Sequence, residues 1–369
     1  MSAPVKVRYV NFPLQYEGVK NELLPAVQKI LESGNYILGP ELEKLEIDFA
    51  NLCGTKYALG VANGTDALIM SMKALGIGRG DEVITVPNSF IASTASIVMN
   101  EAKPVFVDVR EDYNINPELI ESAITPKTKA IIPVHLTGRP ADMKRIMEIA
   151  RKHKLFVIED CAQSVGAKFD GKAVGSFGDT GCFSLHPLKN LAAVGDGGFI
   201  TTNDTELYVK LKKMRNHGLK NRDECEFFSF NSRLDNLQAG IISVKMKHLD
   251  KWTKRRREIA DFYRKNLSGV VTMPEERKND YAVYHTFVVQ AENRDELQAH
   301  LLSKGIETKI HYPIPIHLQE AAKHLGYKKG SFPVTEEQTK HILSLPIYPE
   351  LAQEQIELVV REIKNFYAR

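Results

Sequence analysis

The chain is poor in the features that mark secreted, membrane-bound and nucleic-acid-binding proteins. Its four cysteines, Cys53, Cys161, Cys182 and Cys225, form no Cys-x-x-Cys pair and have no zinc-ligand spacing with histidine. We therefore expect free thiols, a cytoplasmic location and no metal site. No apolar run is long enough to span a membrane, and the N-terminus lacks the apolar core of a signal peptide. The 49 basic residues nearly balance the 46 acidic ones, so neither a nucleic-acid surface nor a membrane-bound role is indicated.

What the sequence does contain is the composition of a globular protein, with 43% hydrophobic and 26% charged residues. From residue 56 onward, short β-branched apolar runs alternate with helical patterns. This alternation predicts an α/β fold in which a mostly parallel sheet is covered by helices on both faces, a three-layer αβα arrangement. The predicted strands are residues 56–62, 82–87, 104–109, 130–135, 155–161, 182–185 and 198–202, and the predicted helices are 65–74, 92–100 and 142–152.

The C-terminal third has a different pattern. Apolar spacing predicts one long helix over residues 234–267, which would lead from a large domain (1–250) to a smaller α+β domain (251–369). In the smaller domain, strands are predicted near 284–290 and 307–312. Helices are predicted near 294–304 and 353–367.

Two residues stand where chemistry is common in parallel sheets. Asp160 lies at the C-terminal end of a buried strand, at the sheet edge where such folds bind ligands. It could pair with a protonated pyridine nitrogen or a metal, although metal-ligand partners are missing nearby, or it could cap a helix. Lys189 lies in a short loop between a strand and Gly195-Asp-Gly-Gly198. It is either a Schiff-base amine whose pKa is lowered by its surroundings or a solvated surface lysine.

Two further patterns suggest a phosphate site and a stacking platform. Gly64 lies between a strand and a helix, where backbone N–H groups can hold a phosphate, and Ser184 offers a hydroxyl. An ordinary glycine turn explains the first pattern equally well. Phe90 follows another strand, where it could stack on a planar cofactor or simply belong to the core.

Taken together and in this order, these patterns resemble the DegT/DnrJ/EryC1/StrS family of sugar aminotransferases, within the pyridoxal-phosphate enzymes of fold type I. The resemblance covers nearly the whole chain. It rests on the strings Gly60-Val-Ala-Asn-Gly-Thr-Asp-Ala-Leu68, Glu159-Asp-Cys-Ala-Gln-Ser164, Phe183-Ser-Leu-His-Pro-Leu-Lys189, Asn231-Ser-Arg-Leu-Asp235 and His311-Tyr-Pro-Ile-Pro-Ile-His317.

The resemblance implies a set of cofactor contacts. Lys189 matches the family's Schiff-base lysine, and Asp160 matches the partner of the pyridine nitrogen. The resemblance also implies that residues 1–40 contribute to the active site, and that Asn231 reaches the phosphate of a neighbouring subunit, which requires a homodimer. The other matched positions are Gln163 near the ring hydroxyl, Gly64, Thr65, Asp66 and Ser184 at the phosphate, and Phe90 on the ring.

The resemblance also implies the reaction, in which glutamate donates an amino group to a nucleotide-linked keto sugar, as in amino-sugar biosynthesis. The glycine-rich string after Lys189 favours amination at C3 of the sugar over C4. Family members with histidine at the lysine position are dehydratases, and a dehydratase or a silent sugar-nucleotide-binding regulator remains an alternative. The candidate substrate contacts are Tyr36, His186, Arg233, His311, Tyr312 and His317, with His217 of similar standing.

Overall fold

A computed structural model describes residues 4–368 of the chain. Its helices alternate with strands through the first two thirds and dominate the last third. They are α1 (Phe12–Ser33), α2 (Pro40–Cys53), α3 (Gly64–Ala74), α4 (Ile91–Met99), α5 (Met143–His153), α6 (Thr205–Met214), α7 (Asn236–Met246), α8 (Leu249–Leu267), α9 (Arg294–Ser303), α10 (Pro333–His341) and α11 (Gln353–Tyr367).

The strands form one large sheet and two small ones. They are β1 (Tyr57–Val61), β2 (Glu82–Thr85), β3 (Lys103–Phe106), β4 (Thr128–Ile131), β5 (Phe156–Asp160), β6 (Lys168–Phe169), β7 (Lys172–Ala173), β8 (Thr180–Ser184), β9 (Gly198–Thr202), β10 (Asp280–Tyr281), β11 (Phe287–Gln290) and β12 (Ile342–Leu345). The large sheet has the order β1-β9-β8-β5-β4-β2-β3, and the small sheets are β10-β6-β7 and β11-β12.

The large sheet confirms the predicted α/β architecture. Only β9 runs antiparallel to its neighbours, so the other six strands all point the same way. Every strand predicted between residues 56 and 202 forms, with ends that differ from the prediction by a few residues. Because their carboxyl ends meet at one edge, β1, β2, β5 and β8 deliver their following loops to the same place.

Two predictions in the C-terminal third were wrong. The single helix over 234–267 is two helices, α7 and α8, separated at residues 247–248. The apolar periodicity continues across the break, while His248 turns to bond with Glu22 of α1 at 2.8 Å and stacks on Trp252. The strand predicted over 307–312 forms only an isolated bridge from Lys309 to Ser344. At the end of the predicted range, Tyr312 takes a positive φ of 56°, which is not a strand conformation.

A separate apolar core belongs to the C-terminal third. It is built from α8, α9, α11, β11 and β12, and Tyr263 is its largest fully buried side chain. Val7, from the start of the chain, is also buried in this core and forms a bridge with Ile306. The division of the chain near residue 250 stays a prediction. Within residues 4–368, the structure contains no helix of the length and apolarity that a membrane crossing needs.

Candidate active site

The candidate site lies at the carboxyl edge of the large sheet. Asp160 ends β5, Ser184 ends β8, and Gly64 begins α3 just after β1. Lys189 lies in the loop after β8, where its backbone N–H donates to the His186 carbonyl at 2.8 Å. Residues far apart in the sequence thus meet because parallel neighbouring strands end together.

Asp160 is a buried carboxylate that two groups hold in place. The Ser93 hydroxyl donates to Oδ2 at 2.7 Å, and the Ala162 N–H donates to Oδ1 at 3.1 Å. Ser89 extends this arrangement, since its hydroxyl donates to Ser93 at 3.0 Å. These donors fix the orientation of the carboxylate, which a partner for a ring N–H requires.

Lys189 is the cation of the site. Burial lowers the pKa of its amine from 10.5 to about 8, and the negative charge of Asp160 partly opposes this shift. An amine with such a pKa exists in both protonation states near neutral pH. It can therefore act as a nucleophile or carry a proton, which an ordinary surface lysine does poorly.

The N-terminus of α3 forms a cradle for an anion. Asn63 caps the helix by accepting from the Asp66 N–H at 2.8 Å, and Ser232 donates to the Asp66 carboxylate at 2.6 Å. Gly64 faces Ser184 so closely that a Cβ at position 64 would lie 2.8 Å from the Ser184 Cβ. The missing side chain thus brings the backbone N–H groups and the serine hydroxyl together, an arrangement that suits a phosphate.

Gln163 and Tyr312 form one wall of the site. The Gln163 Oε1 accepts from the Thr137 N–H at 2.6 Å, and its Nε2 donates to the Tyr312 hydroxyl at 3.0 Å. Burial raises the pKa of Tyr312, so its hydroxyl keeps its proton. Phe90 lies 6.1 Å from Tyr312 between ring centroids and is 57% exposed. Phe90 is thus not a core residue, and its face is free to stack on a flat ring.

Three predicted substrate contacts have surroundings compatible with that role. His311 accepts or donates a hydrogen bond with Ser344 at 2.8 Å, and burial together with the charge of Lys189 lowers its pKa to about 4. His186 is exposed in the loop before Lys189. Arg233 donates to the Asn216 side-chain oxygen at 3.1 Å, which is a neutral partner.

The other predicted residues lie in contrasting places. Tyr36 is half exposed, and its hydroxyl donates to the Leu31 carbonyl at 3.3 Å. Asn231 is exposed and pairs with Asn216 through a backbone bridge. His317 is buried against Phe332, and one of its ring nitrogens pairs with Glu336.

Sequence reasoning missed Ser93, Thr137 and His285. His285 is neutral, because burial and the charge of Lys189 hold its pKa well below the ordinary histidine value. His285 lies in the apolar run from which the strand near residues 284–290 was predicted, and that run gives no sign of a functional residue. The Ser89 and Ser93 pair has helical i, i+4 spacing, but nothing in the sequence connects it with Asp160.

One buried group has the residue types of a metal site. His135, Glu159 and Cys161 lie within ligand distance of one another. The Glu159 carboxylate, however, accepts three backbone N–H groups from residues 175–178 and bonds with His135 Nε2 at 3.0 Å. The other ring nitrogen of His135 accepts from the Ala141 N–H at 2.9 Å. These contacts use the His135 and Glu159 atoms that a metal would need, and burial raises the pKa of the Cys161 thiol. We therefore interpret the group as a structural network of hydrogen bonds.

The residues at the carboxyl edge fit pyridoxal phosphate. The lysine amine has a lowered pKa, an oriented carboxylate suits a ring nitrogen, and the cradle at Gly64 suits the phosphate. Lys189 and Asp160 would hold the two ends of the ring system, with Gln163 and Phe90 beside it. No metal ligand or redox group is needed to complete this set.

Comparison with known proteins agrees with this geometry. The family model of the DegT/DnrJ/EryC1/StrS aminotransferases matches residues 18–364. Two similar curated proteins are a pleiotropic regulatory protein of Geobacillus stearothermophilus and a dTDP-3-amino-3,6-dideoxy-alpha-D-galactopyranose transaminase of Aneurinibacillus thermoaerophilus. The first is 46% identical over 96% of both chains, and the second is 46% identical over 94% of this chain and 96% of its own.

A solved structure leads to the same assignment. DesV of S. venezuelae, in complex with a ketimine intermediate, superposes over 100% of both chains with a TM-score of 0.97 and 40% sequence identity. The predicted fold, cofactor and reaction class are thereby confirmed. The chain belongs to the DegT/DnrJ/EryC1/StrS aminotransferase family and is a pyridoxal-phosphate-dependent transaminase.

Proposed function

We propose that the protein transfers an amino group from glutamate to the C3 keto group of a nucleotide-linked deoxysugar. The observation that carries the proposal is the Lys189 amine, whose pKa is lowered to about 8 by burial and on which the charge of Asp160 acts. Ser93 holds that carboxylate in a fixed orientation. The relative from Aneurinibacillus thermoaerophilus is named for a 3-amino sugar, which supports the choice of C3.

The side chains at the site divide the work between binding and proton transfer. Pyridoxal phosphate, when bound, supplies an electron sink for the carbon that loses its proton. Asp160 would orient the ring and keep its nitrogen protonated, because the position of its carboxylate is fixed by Ser93 and Ala162. The Lys189 amine would take the proton from the α-carbon of the amino donor and pass it on to a different atom rather than return it to that carbon, and its lowered pKa suits both steps near neutral pH.

Arg233 is our candidate for the carboxylate of the amino donor. Its guanidinium donates a hydrogen bond to the side-chain amide oxygen of Asn216, which is neutral, and not to a carboxylate. A bidentate pair with a carboxylate would satisfy its charge. The neutral imidazoles of His311 and His285 can bond to sugar hydroxyl groups without competing for the donor's negative charge.

The active site is proposed to be shared between two subunits. Asn231 is exposed, and Phe228, three residues earlier, is fully exposed, which is unusual for a large apolar side chain in an isolated monomer. A second copy of the chain that covers Phe228 would receive Asn231 at its phosphate cradle.

Mixing two inactive variants tests this arrangement. Lys189→Ala and Asn231→Ala homodimers should each be inactive or weak, while subunit exchange places both changes in one site and leaves the other intact. Random exchange should then recover about a quarter of wild-type activity. A mixture that stays at the sum of its parts would show that Asn231 acts within its own subunit.

The reaction itself is tested with a dTDP-linked 3-keto deoxysugar and glutamate. We expect formation of 2-oxoglutarate and of a product that carries its amino group at C3, identified by NMR of the purified sugar nucleotide. The matched control is the 4-keto isomer. Amination of the 4-keto isomer alone would overturn the C3 proposal. Release of water without consumption of glutamate would identify a dehydratase, and binding of the sugar without turnover would identify a regulatory protein.

A further inference from the structure

The imidazole of His311 has one ring nitrogen bonded to the protein and the other open to the active site. His311 lines the same pocket as Gln163 and Tyr312, and the charge of Lys189 acts on it. Its Nδ1 forms a hydrogen bond with the Ser344 hydroxyl at 2.8 Å. Among the residues that the structure describes, none bonds to Nε2, and this atom is not enclosed. Nε2 is therefore the end of the ring that a substrate can reach.

Ser344 is held in place by backbone contacts on both sides. On one side, β12 pairs with β11, where Ser344 lies opposite Val288. On the other side, the Ser344 N–H donates to the Lys309 carbonyl at 2.7 Å, and the Lys309 N–H donates to the Ser344 carbonyl at 3.2 Å. Ser344 is also fully buried, so its hydroxyl has no access to bulk water. The sheet thus fixes the serine hydroxyl beside the His311 ring.

A third residue, Tyr9, gives this hydrogen bond its direction. The Tyr9 ring lies 5.9 Å from the His311 ring between centroids, and its hydroxyl is in hydrogen-bond contact with Ser344. Burial raises the pKa of Tyr9, so the hydroxyl keeps its proton. When Tyr9 donates to the Ser344 oxygen, Ser344 is left to donate to His311 Nδ1, and every hydrogen in the chain has an acceptor. In the reverse direction, the Tyr9 hydrogen has no protein acceptor within the described part of the chain.

This direction makes the open end of the His311 ring a hydrogen-bond donor. Burial and the charge of Lys189 lower the pKa of His311 to about 4, so the ring is neutral near pH 7. A neutral imidazole whose Nδ1 accepts a hydrogen bond carries its one proton on Nε2. The group that reaches into the site can then donate but not accept. It matches a keto oxygen, which can accept but not donate.

We propose that Ser344 is a positioning residue that holds His311 as a donor to the keto oxygen of the acceptor sugar. This inference rests on the proposed keto-sugar acceptor. When the sugar takes up the amino group, the nitrogen of that group forms a bond to the keto carbon. The keto oxygen leaves as water with the two hydrogens of that nitrogen. The Nε2–H of His311 draws electrons from the carbonyl carbon during this attack and keeps its own proton.

The tautomer of His311 is tested by NMR of the cofactor-loaded protein, labelled with 15N in histidine only. The signals of His311 are identified by their absence from the His311→Gln spectrum. We expect the proton on Nε2 in the wild-type protein, and a mixture of both tautomers in Ser344→Ala. A wild-type proton on Nδ1, or a Ser344→Ala spectrum identical to that of the wild type, would overturn the proposal. This measurement needs no substrate, so its result is separate from that of the proposed function.

The two colour changes of the cofactor test what the donor does. Glutamate bleaches the yellow colour before any C–O bond forms, whereas the keto sugar restores it only after its own C–O bond breaks. Ser344→Ala should therefore slow the return of colour about 10-fold and leave the rate of bleaching unchanged. The matched control, Ser176→Ala, removes a buried hydroxyl that donates to the Ala173 carbonyl, and it should change neither rate.

Three outcomes for Ser344→Ala would contradict the proposed contact with the keto oxygen. Equal slowing of both rates would assign Ser344 a structural role, and slowing of bleaching alone would place His311 against the glutamate carboxylate. Unchanged rates would exclude both roles. A wild-type protein that does not regain its colour with the keto sugar would overturn the proposed function and the keto-oxygen contact together, while the NMR experiment would still decide the tautomer.

Discussion

Replacing Lys189 with methionine should stabilise the cofactor-free protein. Burial lowers the pKa of Lys189 from 10.5 to about 8. The protonated amine is therefore less stable in the folded protein than in the unfolded chain, where water solvates it. The gap between those two pKa values corresponds to about 3 kcal/mol of lost stability wherever the amine is protonated in both states. Methionine keeps the apolar stem of the side chain and removes the charge.

The pH dependence gives this prediction its sign. Below about pH 8, Lys189 destabilises the folded protein by the full amount. This destabilisation decreases as the pH rises and disappears near pH 10.5, where the amine is neutral in both the folded and the unfolded state. Urea unfolding of the apoprotein at pH 7 should therefore show Lys189→Met more stable by up to about 3 kcal/mol, with the gain shrinking at pH 9. The control is Lys254→Met, at an exposed position on α8, which should change stability little. A Lys189→Met protein no more stable than wild type at pH 7 would refute the buried-amine argument.

Three further predictions concern the groups around the cofactor. Ser93→Ala should weaken cofactor binding about 10-fold, because Asp160 loses a charge-assisted hydrogen bond. The matched control, Ser96→Ala on the same helix, should leave cofactor binding unchanged. Both affinities are measured by equilibrium dialysis. Gly64→Ala should abolish binding of inorganic phosphate to the apoprotein, because the added Cβ meets Ser184. The measurement is the rise in melting temperature that phosphate causes. If the variant shows the same rise as wild type, residue 64 does not form part of a phosphate site. Asp160→Asn should lower the pKa of the Lys189 amine, because the Asp160 carboxylate raises it. The pH at which the apoprotein binds the cofactor half-maximally should therefore move below 8. A shift of that pH upward would contradict this reasoning.

The sequence predicted the central sheet well because its signals are local. Short β-branched runs bounded by glycine and proline mark buried parallel strands, and each of them forms. Asp160 and Lys189 could also be singled out, since the first ends such a strand and the second lies in the loop after one. Their convergence required only the rule that parallel strands share a carboxyl edge.

The parts that were missed depend on contacts between distant residues. The hydrogen bond between Gln163 and Tyr312 joins residues that are 149 positions apart in the sequence. No local sequence pattern predicts it. The apolar spacing through residues 234–267 hides the break at His248, because that residue turns toward α1, more than 200 positions away. α1 and α2 were missed as well, although proline near their first turns and glycine after their last are ordinary helix signals.

The most direct test of the account is a single half-reaction. Cofactor-loaded wild-type protein is mixed with glutamate in the absence of any sugar, and its visible absorption is followed while 2-oxoglutarate is quantified. We predict that the yellow colour bleaches and that about one 2-oxoglutarate forms per active site, whereas Lys189→Ala produces none. A yellow wild-type protein that neither bleaches nor forms 2-oxoglutarate would contradict the proposal that glutamate is the amino donor.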